Sequence, residues 1–170
     1  GSRGDGEATP VLYDGQRLDL VEWEQAALSD TPSRAGSTSW GNLIPRVVVA
    51  ATFRDRLTTA RFVVVNTHLD PLSGRSRTRS VRAIRRRVVD SGLPAVVTGD
   101  LNAGRGSATV REFLAGDTLV DTWESADTRV SEDWGTYAGY RPPRRGGRRL
   151  DWILVTPTVR VLRAAVNPCH

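Results

Sequence analysis

The sequence predicts a layered α/β sandwich, and three observations carry that prediction. β-Branched runs at residues 46–53 and 61–67 precede any helical pattern. Residues 73–90 then switch to helical spacing, with Val81, Ile84 and Val88 at i, i+3 and i+7. Apolar runs return at residues 95–98 and 150–155. Strands, a helix and more strands form a mixed order that buries its apolar faces by stacking in layers. A chain of 170 residues is long enough for one domain with a real core. Its 39% hydrophobic and 25% charged content lies near the globular norm and argues against disorder. No apolar stretch approaches the roughly 18 residues of a membrane span, and no signal-peptide pattern is visible. A single cysteine, Cys169, excludes an internal disulfide and leaves the compartment open.

Element by element, residues 1–8 are polar and glycine-rich and read as a loose end, with residues 9–170 forming the single domain. Residues 11–13 and 18–22 read as two short strands around the turn signal Asp14-Gly15. Residues 29–45, punctuated by Pro32, Gly36, Gly41 and Pro45, read as a long loop, and the runs at 46–53 and 61–67 as a hairpin. Gly92 and Pro94 stop the helix begun at Ser73. A buried strand follows at 95–98, and Ser107 is placed to cap a short helix ending near Gly116. Residues 133–140 read as strand and loop, leading through an Arg/Gly/Pro loop to the last strands at 150–155 and 159–166.

The formal net charge is +5, the sequence pI is near 10.5, and all 24 basic residues are arginine. Guanidinium grips phosphate oxygens in a fork, so a phosphate-rich partner is one reading. A genome-wide preference for arginine codons is the simpler reading of the total. Seven arginines between Arg75 and Arg87 crowd the predicted helix, where a solvated face is again the simpler account. Arg141, Arg144, Arg145, Arg148 and Arg149 lead directly into Asp151; for this loop a grip on an anionic substrate and plain solvation both stand open. No methionine occurs, so the chain reads as a piece of a longer translation product, with Gly1-Ser2 either a cloning scar or native sequence exposed by a cut.

Three polar insertions interrupt apolar runs. They are "VVVNTHLD", with Asn66, His68 and Asp70; "VVTGDLNAG", with Asp100 and Asn102; and "RRLDWILV", with Asp151. A carboxylate in such a run loses water and must be paired, hydrogen-bonded or metal-bound. Taken singly, each has a structural explanation, since Asn and Gly-Asp sequences end strands through side-chain turns. In an extended chain Asp100 and Asn102 point to the same side, which sets an anionic and a neutral oxygen together above a sheet edge. The set as a whole is what metal-assisted cleavage of a phosphate ester needs. A hard cation such as Mg²⁺ takes oxygen ligands and keeps several waters. It polarises the phosphoryl oxygen and stabilises the leaving oxygen. A neutral Asn orients water without repelling phosphate. A His donates to a non-bridging oxygen, and a buried Asp orients a basic imidazole.

"NTHLD", "GDLNA" and "RRLDWILV", in this order, resemble the endonuclease/exonuclease/phosphatase superfamily of deoxyribonuclease-I-like fold. "LSDTPSRAGSTSWGNLIPRVVVAATFR" and "GTYAGY" further resemble its bacterial branch related to Ccr4-type nucleases. The resemblance implies two mixed, mainly antiparallel sheets flanked by helices, and a nuclease-like phosphoesterase that uses Mg²⁺ or Mn²⁺. His68 matches the histidine that contacts the scissile phosphate. Asp100 matches the carboxylate that positions water near the metal, and Asn102 the asparagine beside it, which makes these two the implied metal site. Asp151 matches the aspartate that orients the catalytic imidazole. Thr136 and Tyr140 fall where the family shapes its cleft, and Arg145 and Arg148 are the substrate-gripping candidates from the basic loop.

The family pattern also has parts that do not match here: an opening strand with Asn, a Gln-Glu motif whose glutamate binds metal, and a closing Ser-Asp-His. His170 lacks that last context. The expectation is therefore an incomplete fold, little or no turnover by this chain alone, and hydrolysis by the complete parent protein. The partner expected is a phosphate ester, with nucleic acid among the candidates. Rival readings are a basic nucleic-acid-binding module without catalysis and a degenerate paralogue.

Overall fold

The computed structural model describes residues 8–167, so most of the loose end expected at 1–8, together with Cys169 and His170, lies outside the described residues. Eight strands are present among these: β1 (Leu18–Ala27), β2 (Val47–Asp55), β3 (Arg61–His68), β4 (Ala95–Asp100), β5 (Val120–Asp121), β6 (Thr128–Arg129), β7 (Asp151–Val155) and β8 (Arg163–Ala164). Helices α1 (Gly74–Ser91), α2 (Ala108–Leu114) and α3 (Thr122–Ser125) complete the set, with one 3₁₀ turn at Ala115–Asp117. Six strands make a mixed sheet in the order β1-β2-β3-β4-β7-β5, while β6 and β8 form a separate two-stranded parallel pair. The α/β class is as expected.

Parallel strands need a crossover, because a tight turn can only reverse the chain. The one parallel neighbour pair in the large sheet is β3–β4, and α1 supplies its crossover. Its local sequence fixes both ends. Ser73 caps the start by accepting from the Ser76 N–H at 3.1 Å, and Gly92 stops the helix in the left-handed region at φ 61°. Val81, Ile84 and Val88 are buried on its inner face against Val63, Val65, Ala95 and Val97. Each fully buried aliphatic side chain there stabilises the fold by about 1.5–3 kcal/mol. Among the described residues no helix is long and apolar enough to cross a membrane.

The predicted hairpin is β2–β3, antiparallel over Val48↔Thr67 to Arg54↔Arg61. The short helix α2 is capped by Ser107 as expected, its hydroxyl accepting from the Val110 N–H. Three elements differ. Residues 11–13 form no strand: Tyr13 packs its ring 4.9 Å from Phe53, and the turn at Asp14 feeds a single long strand that pairs with β2 through Ala27↔Val47. Within β1 the polar Glu22, Glu24 and Gln25 are compatible with an edge position, where charge discourages further pairing. Of residues 159–166, only Arg163–Ala164 pairs, and residues 133–140 hold no strand but one isolated bridge, Trp134↔Arg145. Gly135, whose added Cβ would fall 2.7 Å from the Gly147 carbonyl carbon, keeps that loop closed on itself.

Candidate active site

Side chains directly opposite one another in a sheet share a face. In the β3–β4 register His68 faces Asp100, and in the β4–β7 register Asp100 faces Asp151. Three distant stretches of sequence thereby set one imidazole and two carboxylates in a row across the ends of three adjacent strands, on the sheet face away from α1. Nε2 of His68 lies 3.6 Å from Oδ2 of Asp100, with the two side chains 28% and 34% exposed. At that separation they form no hydrogen bond, and they pair as ions when the imidazole is protonated.

One row deeper, Thr98 donates its hydroxyl to Asn66 Oδ1 at 3.0 Å, and Asn66 Nδ2 donates to the Pro10 carbonyl. These contacts tie β3, β4 and the entering chain together beneath the row. Gly99 is required here by close approach. Its φ of 152° suits glycine, and an added Cβ would fall 2.0 Å from the Thr67 carbonyl oxygen. Asp70, the last residue of the "NTHLD" stretch, is buried and accepts from the Leu72 and Ser73 N–H groups at 2.9 and 2.6 Å. It is a turn residue that starts α1.

Asp100 and Asn102 do not stand side by side as i and i+2 of a strand. β4 ends at Asp100, Leu101 turns into the core, and Asn102 takes the left-handed region at φ 46°. The physical reason is local: Asp100 Oδ1 accepts from the Asn102 N–H at 2.7 Å, closing an Asx turn. Asn102 Nδ2 then donates to the Leu69 carbonyl at 2.9 Å, bonding the two loops that follow β3 and β4. Asn102 keeps its side-chain oxygen as an acceptor, and Asp100 keeps Oδ2.

Asp151 opens β7 and is exposed, while Trp152 beside it is buried and donates its indole N–H to the Ala103 carbonyl at 3.0 Å. That bond anchors the loop after Asp100 to β7. Thr136 lies next to Asp151, its hydroxyl oxygen accepting from the Leu150 and Asp151 N–H groups at 3.0 Å each. Asp100, Thr136 and Asp151 line one groove of about 810 Å³, which continues along Ile153 and Leu162. Tyr140, Arg145 and Arg148 do not line it. Tyr140 is fully exposed at φ 61°, Arg145 pairs with Glu132, and Arg148 covers the Tyr137 ring at 5.1 Å.

Sequence reading missed one pair. Arg149 and Asp121 form a two-pronged ion pair at 2.8 and 2.7 Å, with side chains only 6% and 7% exposed. The guanidinium stacks over Trp152 at 4.0 Å and its Nε donates to the Asp151 carbonyl at 3.4 Å. Asp121 carries the same signal that marked Asp151, a carboxylate in the apolar run Leu119-Val120-Asp121.

For a divalent ion the row offers hard oxygen donors from two carboxylates on neighbouring strands, whose like charges a cation relieves. Among the described residues no group of three or more His, Cys, Asp or Glu side chains gathers as a metal cage. The donor set therefore fits Mg²⁺-type coordination, in which one or two carboxylates are joined by waters and substrate phosphate oxygens.

The sequence profile of the endonuclease/exonuclease/phosphatase family matches residues 18–170. An endonuclease/exonuclease/phosphatase from Bacteroides vulgatus is similar in structure, with 26% identity and a TM-score of 0.85 over 93% of this chain and 61% of its own. A mannosyl-6-phosphatase from Bacteroides thetaiotaomicron is 26% identical with a TM-score of 0.81, covering 91% of this chain and 59% of its own. The catalytic domain of human Nocturnin shares the fold at 19% identity and a TM-score of 0.57, over 84% of this chain and 50% of its own. The chain thus spans about three-fifths of the length of the two bacterial relatives. No curated protein sequence matches it. With the profile matching nearly the whole chain, and with the sheet order and strand-end row described above, the chain belongs to the endonuclease/exonuclease/phosphatase family.

Proposed function

We propose that this protein is a divalent-metal-dependent phosphoesterase that directs water onto a phosphate ester held over the row His68–Asp100–Asp151. The row itself carries the reading, because register sets an imidazole and two carboxylates side by side on one partly exposed sheet face, beyond what the turn at Asp100 needs. His68 Nε2 faces the row, placed to donate to a non-bridging phosphate oxygen. Asp100 Oδ2 and the Asn102 side-chain oxygen are the remaining acceptors for a metal ion or the attacking water. Asp151 supplies a second carboxylate at the far end of the row, where it can orient an imidazole or a water. Mg²⁺ or Mn²⁺, held by Asp100 and Asn102, would supply charge neutralisation at the phosphoryl and leaving oxygens.

Phosphodiesters and phosphomonoesters both suit this chemistry. A mannosyl-6-phosphatase among the structural relatives supports the monoester, and the groove extending past Ile153 and Leu162 supports a substrate with an extended leaving group. The reading as a purely basic binding module is less well supported. Arg79, Arg82 and Arg87 of α1 are engaged by Asp30, Glu112 and Glu24.

The test is hydrolysis of bis-nitrophenyl phosphate, nitrophenyl phosphate, DNA and RNA by the protein from its full reading frame, with and without chelator. Turnover restored by Mg²⁺ or Mn²⁺, and lost at least about 100-fold in His68→Ala and Asp100→Ala while both remain folded, is expected. Activity that survives chelation would sink the metal mechanism.

A further inference from the structure

Of the basic loop ahead of β7, Arg145 and Arg148 do not line the groove and Arg149, which does, is taken by Asp121, yet the loop closes tightly around the start of β7. Thr136 Oγ1 receives the Leu150 and Asp151 N–H groups at 3.0 Å each, two donors on one acceptor. On the other side of the same residue, the Arg149 Nε donates to the Asp151 carbonyl, and Arg149 is itself immobilised by Asp121 and by Trp152. Tyr137 N–H donates to the Arg148 carbonyl at 3.0 Å, which keeps the Thr136 segment alongside the strand start. Resting on the phosphoesterase reading above, we propose that Thr136 is a positioning residue. It grips the Asp151 backbone so that this carboxylate stays in line with Asp100 and His68.

The physical need is clear from where Asp151 sits. It is the first residue of β7 and exposed, so the ladder alone fixes it weakly. A first strand residue frays unless its N–H is held, and its own carboxylate has no neighbour of opposite charge in the row. Thr136 removes that freedom through the backbone and leaves the carboxylate itself unencumbered for substrate or ion. This assigns Thr136, on the groove wall, a task that acts through the Asp151 backbone rather than through contact with substrate.

Thr136→Val keeps shape and removes the acceptor, whereas Thr136→Ser keeps the acceptor. All three proteins are assayed well below their melting temperatures, with amide exchange of residues 150 and 151 followed by NMR. The Val variant should exchange both amides at least about 10-fold faster. Its kcat should fall about 10–100-fold with little change in KM, as expected when a reacting group is misplaced. The Ser variant should restore both. Faster exchange with unchanged kcat, or a Ser variant as impaired as Val, overturns the positioning role, because a purely structural bond would behave so. A wild-type protein without turnover, whose Val variant still loses amide protection, overturns the phosphoesterase reading and the role built on it, while leaving the two hydrogen bonds standing.

Discussion

Replacing Asp121 by Ala breaks a buried, two-pronged ion pair beside the row. The carboxylate accepts two bonds from Arg149, at 2.8 and 2.7 Å, and a third from the Trp123 N–H at 3.0 Å, which also caps α3. Arg149 is 6% exposed, so deleting its partner strands a guanidinium charge out of water. Breaking a buried ion pair from one side costs about 3–5 kcal/mol. For a chain of this size that corresponds to a fall of roughly 6–20 °C in Tm. The double variant Asp121→Ala/Arg149→Met removes both charges and should lose at least about 2 kcal/mol less than the summed losses of Asp121→Ala and Arg149→Met. Urea unfolding followed by tryptophan fluorescence, with calorimetry alongside, measures each corner of that cycle. A loss below about 1 kcal/mol in Asp121→Ala, or strictly additive losses in the double variant, would show that the pair is solvated and that its apparent burial has no energetic consequence.

Gly99→Ala should destabilise by at least about 3 kcal/mol, because the new methyl meets the Thr67 carbonyl oxygen and the backbone leaves its glycine-favoured region; an unchanged urea midpoint would contradict this. At acid pH the Asp55 turn should weaken. The Thr58 N–H first, and Arg17 second, hold the Asp55 carboxyl down to about 2. Its folded pKa lies below the unfolded one, so its stabilisation is complete above the ordinary carboxylate pKa and disappears as pH falls through about 2. Asp55→Asn should therefore lie below wild type in stability at neutral pH and converge on it between about pH 4 and pH 2, read from thermal melts across that range.

Periodicity made the scaffold legible. The spacing of Val81, Ile84 and Val88 identified α1, and Ser73 and Gly92 marked its ends because capping is chemistry of single residues. The hairpin β2–β3 was equally open to reading, since β-branched runs flank a short polar connection. What escaped depended on distant partners. Residues 11–13 have the composition of a strand, but their ladder positions are taken by β1, which binds β2 along its whole length. Residues 159–166 have apolar character without a sheet edge to join, so only two of them pair. The arginines of the loop before β7 looked alike in sequence. One is buried under Asp121, one covers Tyr137 and one pairs with Glu132, and composition cannot rank these fates.

The sequence brought forward His68, Asp100 and Asp151 as candidates but not the geometry that sets them in one row, and it also put forward Tyr140, Arg145 and Arg148, which do not line the groove. Alternation along one strand set Asp100 beside Asn102, whereas the Asx turn at Asp100 ends the strand and turns Asn102 to bind the Leu69 carbonyl instead. The partners of Asp100 come from across the sheet. A parallel neighbour brings His68 and an antiparallel neighbour brings Asp151, each directly opposite. That arrangement depends on register, and in β-structure a slip of one residue sends a side chain to the opposite face. Gly99 and Thr136 act on this constraint from two directions. The first allows β3 to lie close enough for His68 and Asp100 to share a row, and the second holds the start of β7 in step with the end of β4. Neither residue carries a charge, which is why a search for chemistry-bearing side chains ranks them low. Yet altering either one shifts the spacing of three ionisable groups at once. Substitutions at these two positions should therefore separate catalysis from folding differently. Gly99 variants should lose both together through the close backbone contact, and Thr136 variants should lose turnover while most of the stability remains.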